Sequence, residues 1–181
     1  MTDPVPGPTP DPTPGPTSSP VRTASGPSQH ERDLRWMRRA IELSRRCPPA
    51  EGAYSVGAVV VGADGTELAT GFSREGDPVV HAEESALAKL PAGDPRLAGA
   101  TVYSTLEPCS QRASRPLPCT RLILAAGVPR VVVAWREPSL FVADCVGVEL
   151  LREAGVEVVE LPELAEEAMA VNAHLRLDGD S

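Results

Sequence analysis

One histidine and two cysteines stand out in this sequence for the chemistry they could do together. His81 lies in "HAE", and Cys109 and Cys119 each follow a proline, with nine residues between them, in "TLEPCSQRASRPLPC". An imidazole and two thiolates form a three-ligand zinc set, which leaves one tetrahedral position open for water, as catalytic and not structural zinc sites do. Such a set is electrically neutral, so it acidifies water less than an all-histidine site, and a nearby base has to help. Glu83, two residues beyond His81, is the candidate to take a proton from water and return it to a leaving group. The other two cysteines, Cys47 and Cys145, have no comparable neighbours in the sequence and read as incidental or buried thiols.

These residues need a frame. "ERDLRWMRRAIELSRR", Glu31 to Arg46, has the spacing of an amphipathic helix ended by Cys47 and Pro48. "SVGAVVVGADGTELATGFS" predicts two strands around Ala63–Asp64–Gly65. "HAEESALAKL" predicts a helix stopped by Pro91, "ATVYST" a strand, "CTRLILAAG" a helix closed by Gly127, and "RVVVAW" a buried strand. "VGVELLREAG" and "VEVVEL" repeat the helix-then-strand order, and "PELAEEAMAVNAHL" predicts a final helix. Alternation of this kind implies an α/β fold, a three-layer α/β/α sandwich whose sheet is mostly parallel with one antiparallel hairpin. His81 then falls at a helix start, Cys109 just after a strand and Cys119 at another helix start. Helix N-termini favour the negative charge that collects at a thiolate site.

Composition sets the outer limits. Residues 1–29 hold nine of the twenty prolines and almost no large apolar side chain, which predicts a disordered tail. The folded domain is expected over 30–176 and a short flexible end over 177–181, with no room for a second catalytic domain. Neither a secretory signal nor a membrane span is recognisable, so a cytoplasmic location is expected. The net charge of −8 disfavours nucleic acid as a partner and favours a small molecule. Reduced cytosolic thiols point away from disulfides and toward metal or catalysis.

A histidine, a glutamate that is not a ligand and a Pro-Cys pair make up the signature of zinc deaminases, although its usual form has two residues between the cysteines. Beyond that pattern, "HAEESAL", "TVYSTLEPCSQRASRPLPC", "LILAAGVPRVVVA" and "LREAGVEVVE" resemble the deaminase domain of the bacterial riboflavin-biosynthesis deaminase/reductase, within the cytidine-deaminase-like superfamily. The resemblance runs from about Glu31 to Leu175. It implies a five-stranded mixed sheet between helices, Zn2+ on His81, Cys109 and Cys119, Glu83 as proton shuttle, a homo-oligomer, and an aminopyrimidine or related heterocycle as substrate. It also brings departures. "AYSVG" stands where that family usually carries asparagines, with Ser55 as the candidate substrate contact; Ser85 replaces a second histidine; and "EPS", ending at Ser139, replaces Asp-Pro-Asn. A lost polar match costs about 1–3 kcal/mol, so these departures imply a substrate other than the standard riboflavin intermediate. Arg112 and Arg115 are the candidate clamps for a substrate phosphate, against the alternative of an exposed polar loop. The competing functions are deamination of a free base or purine, and a non-catalytic zinc-binding domain of the same fold.

Overall fold

The computed structural model describes residues 26–136 and 145–175. Ser139, most of the proline-rich segment and the C-terminal residues 176–181 lie outside the described residues. Helix α1, Gln29–Ser44, starts two residues earlier than the hydrophobic spacing indicates. The reason is a capping box: the Ser28 hydroxyl accepts from the Glu31 N–H at 3.2 Å, and the Ser28 N–H donates to Glu31 Oε2 at 2.7 Å. His30 therefore belongs to the helix, where it reaches Glu163 at 3.0 Å.

Strands β1, Gly57–Val61, and β2, Glu67–Phe72, form the expected hairpin. Then come α2, Ala82–Ala88; β3, Thr101–Leu106; α3, Cys119–Ala125; and β4, Arg130–Trp135. The last elements are α4, Gly147–Glu153; β5, Glu157–Glu160; and α5, Ala165–Ala170. The final helix is shorter than expected, because Pro162 opens a single 3₁₀ turn over Pro162–Leu164 before α5 begins. Among the described residues the sheet has five strands in the order β2-β1-β3-β4-β5. β1 is antiparallel to both neighbours, and β3, β4 and β5 run parallel.

Strand alternation divides the core into two layers. Ala58, Val60, Val102, Val131 and Val133 face α2, α3 and α4, joining Ala82, Ala86, Ile123, Val148 and Leu151. Val59, Val61, Tyr103, Val132 and Ala134 face the other way and pack with Met37, Ile41 and Leu43 of α1 and Ala168 of α5. Every one of these central positions is buried, which is why the strands read as unbroken apolar runs. Across the second layer, Asp33 of α1 accepts from the Tyr103 hydroxyl at 2.8 Å and forms a bidentate pair with Arg130 at 2.9 and 2.8 Å.

Two close approaches fix the elements that matter for the site. A Cβ on Gly71 would stand 2.3 Å from the Ala82 carbonyl oxygen, so only glycine lets the start of α2 lie against β2. A Cβ on Gly147 would stand 2.0 Å from the Pro108 carbonyl oxygen, where the start of α4 presses on the segment leading to Cys109.

Candidate metal centre

β3 and β4 end side by side, with Leu106 paired to Trp135, and the chain leaving β3 turns at once into the Pro108–Cys109 segment. This is the carboxyl edge of the parallel strands, where α/β sheets place ligand sites. His81 occupies the N-cap of α2 with extended dihedrals, and its N–H donates to Glu84 Oε2 at 3.4 Å. Cys119 is the first residue of α3; its N–H donates to Cys109 Sγ at 3.3 Å, and the Thr120 N–H donates to the Cys109 carbonyl at 3.2 Å. Three separate elements thus bring their ends to one point.

His81 Nδ1 lies 3.6 Å from Cys109 Sγ and 3.5 Å from Cys119 Sγ, and the three donor atoms all lie within 4.8 Å of one another. A tetrahedral zinc with ordinary Zn–N and Zn–S bonds separates such ligand atoms by about 3.6 Å. The donor set and its spacing fit zinc. Within the cluster, electrostatics favour one thiolate, at Cys109. Accepting from Cys119, and then from His81, brings the Cys109 thiol down to about 4, so a thiolate is already favoured there. Its buried neighbour Cys119 is pushed up by the shared contact with Cys109 and by burial. Burial alone would lower His81, but the contact with Cys109 outweighs it and the imidazole is raised.

Glu83 is 3% exposed, and burial holds its carboxyl above the usual carboxylate range. Ser104, fully buried on β3, has its hydroxyl 2.8 Å from Glu83 Oε1 and 2.8 Å from the Leu106 carbonyl. Glu83, His81 and Cys109 line a cavity of about 320 Å³, together with Tyr54, Arg74, Glu107 and Arg112. Such a volume suits a small heterocycle.

The other sequence candidates fall in different places. Arg112 lines the cavity, but its guanidinium is 4% exposed and already engaged: Nη1 donates to Glu84 at 2.8 Å and Nη2 to the Val79 carbonyl at 2.6 Å. Arg115 is not among the lining residues; it pairs with Asp77 and, through Nε at 3.3 Å, with Glu84. Ser55 is not a lining residue either. Its N–H donates to Asn172 Oδ1 at 2.7 Å and its hydroxyl accepts from Arg74 Nη2 at 3.0 Å, tying the C-terminal segment to the loop before β1. Ser85 likewise stays in the scaffold, donating to Glu75. Two of the departures that implied a different substrate therefore sit outside the cavity wall.

Two neighbours of the site, Ser104 and Glu84, carried little or no functional signal in the sequence. Ser104 follows from strand alternation, since it shares a face with Val102 and Leu106 toward α2, but nothing in sequence singles it out as Glu83's partner. Glu84 is inconspicuous beside Glu83, yet it is the acid that holds both loop arginines. Glu107 is buried, accepts from the Val148 N–H at 2.8 Å and faces Arg136 at 3.2 Å, so it secures the segment between β3 and Cys109.

Fold and site together define a deaminase-type zinc domain. Residues 30–135 match the family model described as the cytidine and deoxycytidylate deaminase zinc-binding region, and the chain belongs to that family. It is 42% identical over 136 residues to the diaminohydroxyphosphoribosylamino-pyrimidine deaminase of Schizosaccharomyces pombe, covering 74% of this chain and 32% of that protein. It is 40% identical over 144 residues to the riboflavin biosynthesis protein RibD of Aquifex aeolicus, covering 78% of this chain and 38% of that one. Among solved structures, the diaminohydroxyphosphoribosylaminopyrimidine deaminase/5-amino-6-(5-phosphoribosylamino)uracil reductase of Thermotoga maritima is 36% identical, with a TM-score of 0.67 over 80% of this chain and 40% of that chain. The chain thus spans about a third of the length of the curated relatives it matches. No helix among the described residues is long and apolar enough to cross a membrane.

Proposed function

We propose that the protein is a zinc-dependent hydrolytic deaminase that removes an exocyclic amine from an aminopyrimidine carrying a phosphoribosylamino group. The observation that carries this reading is the buried Glu83 beside the His81, Cys109 and Cys119 cluster, opening on a cavity of about 320 Å³. A structural zinc site has no use for a buried acid aimed into a cavity. The names and the 40–42% identity of the relatives support the substrate class.

His81, Cys109 and Cys119 would hold the zinc, which when bound supplies the Lewis acidity that makes water nucleophilic near neutral pH. The chain's own residues do the rest. Glu83, kept protonatable by burial, accepts a proton from water and delivers it to the departing amine. Ser104 keeps the carboxylate from rotating away by holding Oε1. Tyr54, packed edge-on against Trp135 with ring centroids 5.5 Å apart, gives the cavity a rigid apolar wall for a flat ring. Self-association belongs to the same proposal and would give a species larger than one chain in sedimentation velocity.

Ammonia release from the zinc-loaded protein tests the reading. The diaminohydroxyphosphoribosylamino-pyrimidine should be deaminated at least tenfold more efficiently, in kcat/KM, than deoxycytidylate, cytidine or adenine. Turnover of none of these compounds would overturn the deaminase reading, and a preference for a free base would overturn the substrate class.

A further inference from the structure

We propose that Arg74, and not either arginine between the cysteines, recognises an anionic substituent of the substrate. In the reading given above, on which this inference rests, that substituent is a phosphate monoester. Besides His81, the charged side chains lining the cavity are Arg74, Glu83, Glu107 and Arg112. Glu107 faces Arg136 and Arg112 faces Glu84, so each of these charges is already matched by an opposite one. Arg74 is different. Its guanidinium donates to the Pro48 carbonyl at 2.9 Å, the Tyr54 carbonyl at 2.9 Å and the Ser55 hydroxyl at 3.0 Å, all of them neutral oxygens. Among the described residues it makes no ion pair. Its positive charge is held in place without being neutralised.

Geometry points the same way. A guanidinium has five N–H donors in a rigid fork. Three contacts orient the group and leave donors for a ligand, so an arriving phosphate finds a cation already fixed and breaks no ion pair to reach it. For Arg112 or Arg115 to do the same, Glu84 would have to give up a partner, and its own charge would repel the phosphate. The backbone adds a second, independent sign. Arg74 has φ 65°, the one positive φ among the described non-glycine residues, a conformation that side-chain-bearing residues seldom adopt and that clusters at ligand sites. The Arg74 N–H donates to the carbonyl of Val80 at 2.9 Å, which locks this conformation to the residue preceding His81.

The test uses the full-length, zinc-loaded protein with ribose 5-phosphate and ribose as probes, by isothermal titration calorimetry. The wild-type protein should bind ribose 5-phosphate at least tenfold more tightly than ribose. Arg74→Gln, which still donates to carbonyl oxygens but carries no charge, should abolish that preference, and Arg74→Lys should keep at least a threefold preference. Unchanged ribose 5-phosphate binding in Arg74→Gln, or equal loss of both probes, would overturn the proposal and leave Arg74 as a loop staple. Loss of the preference in Arg74→Lys would overturn it as well, and that arm stands even if the glutamine variant does not fold. The deaminase reading is judged separately by ammonia release: a protein without turnover whose phosphate preference still depends on Arg74 keeps this assignment and loses the other.

Discussion

Glu83 is the residue on which the proposed chemistry turns, and its surroundings explain how a carboxyl would serve there. Burial raises its affinity for a proton, and the Ser104 hydroxyl fixes which oxygen faces β3. Ser104 has a single proton and two acceptors at 2.8 Å, Glu83 and the Leu106 carbonyl. Burial favours the protonated form, and the Ser104 hydroxyl donating to Oε1 works against it in favour of the carboxylate, so the two pulls keep the group able both to accept and to release a proton. Glu83→Gln keeps the size and one hydrogen-bonding oxygen but cannot carry protons. It should leave one equivalent of zinc bound by elemental analysis while lowering kcat by about 10²- to 10⁴-fold. Retained turnover in that variant would remove Glu83 from the mechanism.

At the scale of elements, the ligands are placed by how helix ends meet the sheet edge. The α4 start touches the Pro108 carbonyl at the one position where no side chain intervenes, and Pro108 adjoins Cys109. Gly147→Ala should therefore push this segment away, lowering stability by about 1–3 kcal/mol and weakening zinc retention in a chelator competition; equal zinc retention would mean that Cys109 is positioned independently of α4. On the opposite face, Asp33 joins α1 to β3 and β4 through Tyr103 and Arg130. Burial acts to raise the Asp33 carboxyl, but the bonds from Arg130 and Tyr103 prevail and leave it below the ordinary value. A carboxyl depressed by folding adds stability above its unfolded value of about 3.9 and loses it as pH falls through the lower folded value. Asp33→Asn should cost about 3 kcal/mol at pH 7, measured by urea unfolding, and the gap from wild type should narrow below pH 4. A gap that stayed constant with pH would show that the ion pair is not its source.

For the whole molecule, two apolar layers on the two faces of one sheet form a core that does not pass through the metal centre. Zinc held by His81, Cys109 and Cys119 would join only the starts of α2 and α3 and the segment that follows β3. Chelation should therefore abolish activity and lower the thermal midpoint by several degrees, as loss of a ligand bound to the native state does, while far-ultraviolet circular dichroism stays close to that of the loaded protein. Global unfolding on chelation would instead make the metal part of the core.

The sequence by itself determined the layer order and the five strands and marked out the His81, Cys109 and Cys119 trio that folding brings together, because strand alternation, helix stops and the joint occurrence of "HAE" with two Pro-Cys pairs are local signals. It also picked out Glu83, two residues from a ligand. Tertiary structure decided what the arginines and serines do. Arg112 and Arg115 look like phosphate clamps in a loop sequence, yet Glu84, 28 positions before Arg112, holds both. Ser55 looks like a substrate contact, yet Asn172, 117 positions away, holds its backbone. Ligand spacing along a chain is a short-range property that sequence carries, whereas the pairing of a charge or a hydroxyl depends on which distant group folding brings within 3 Å.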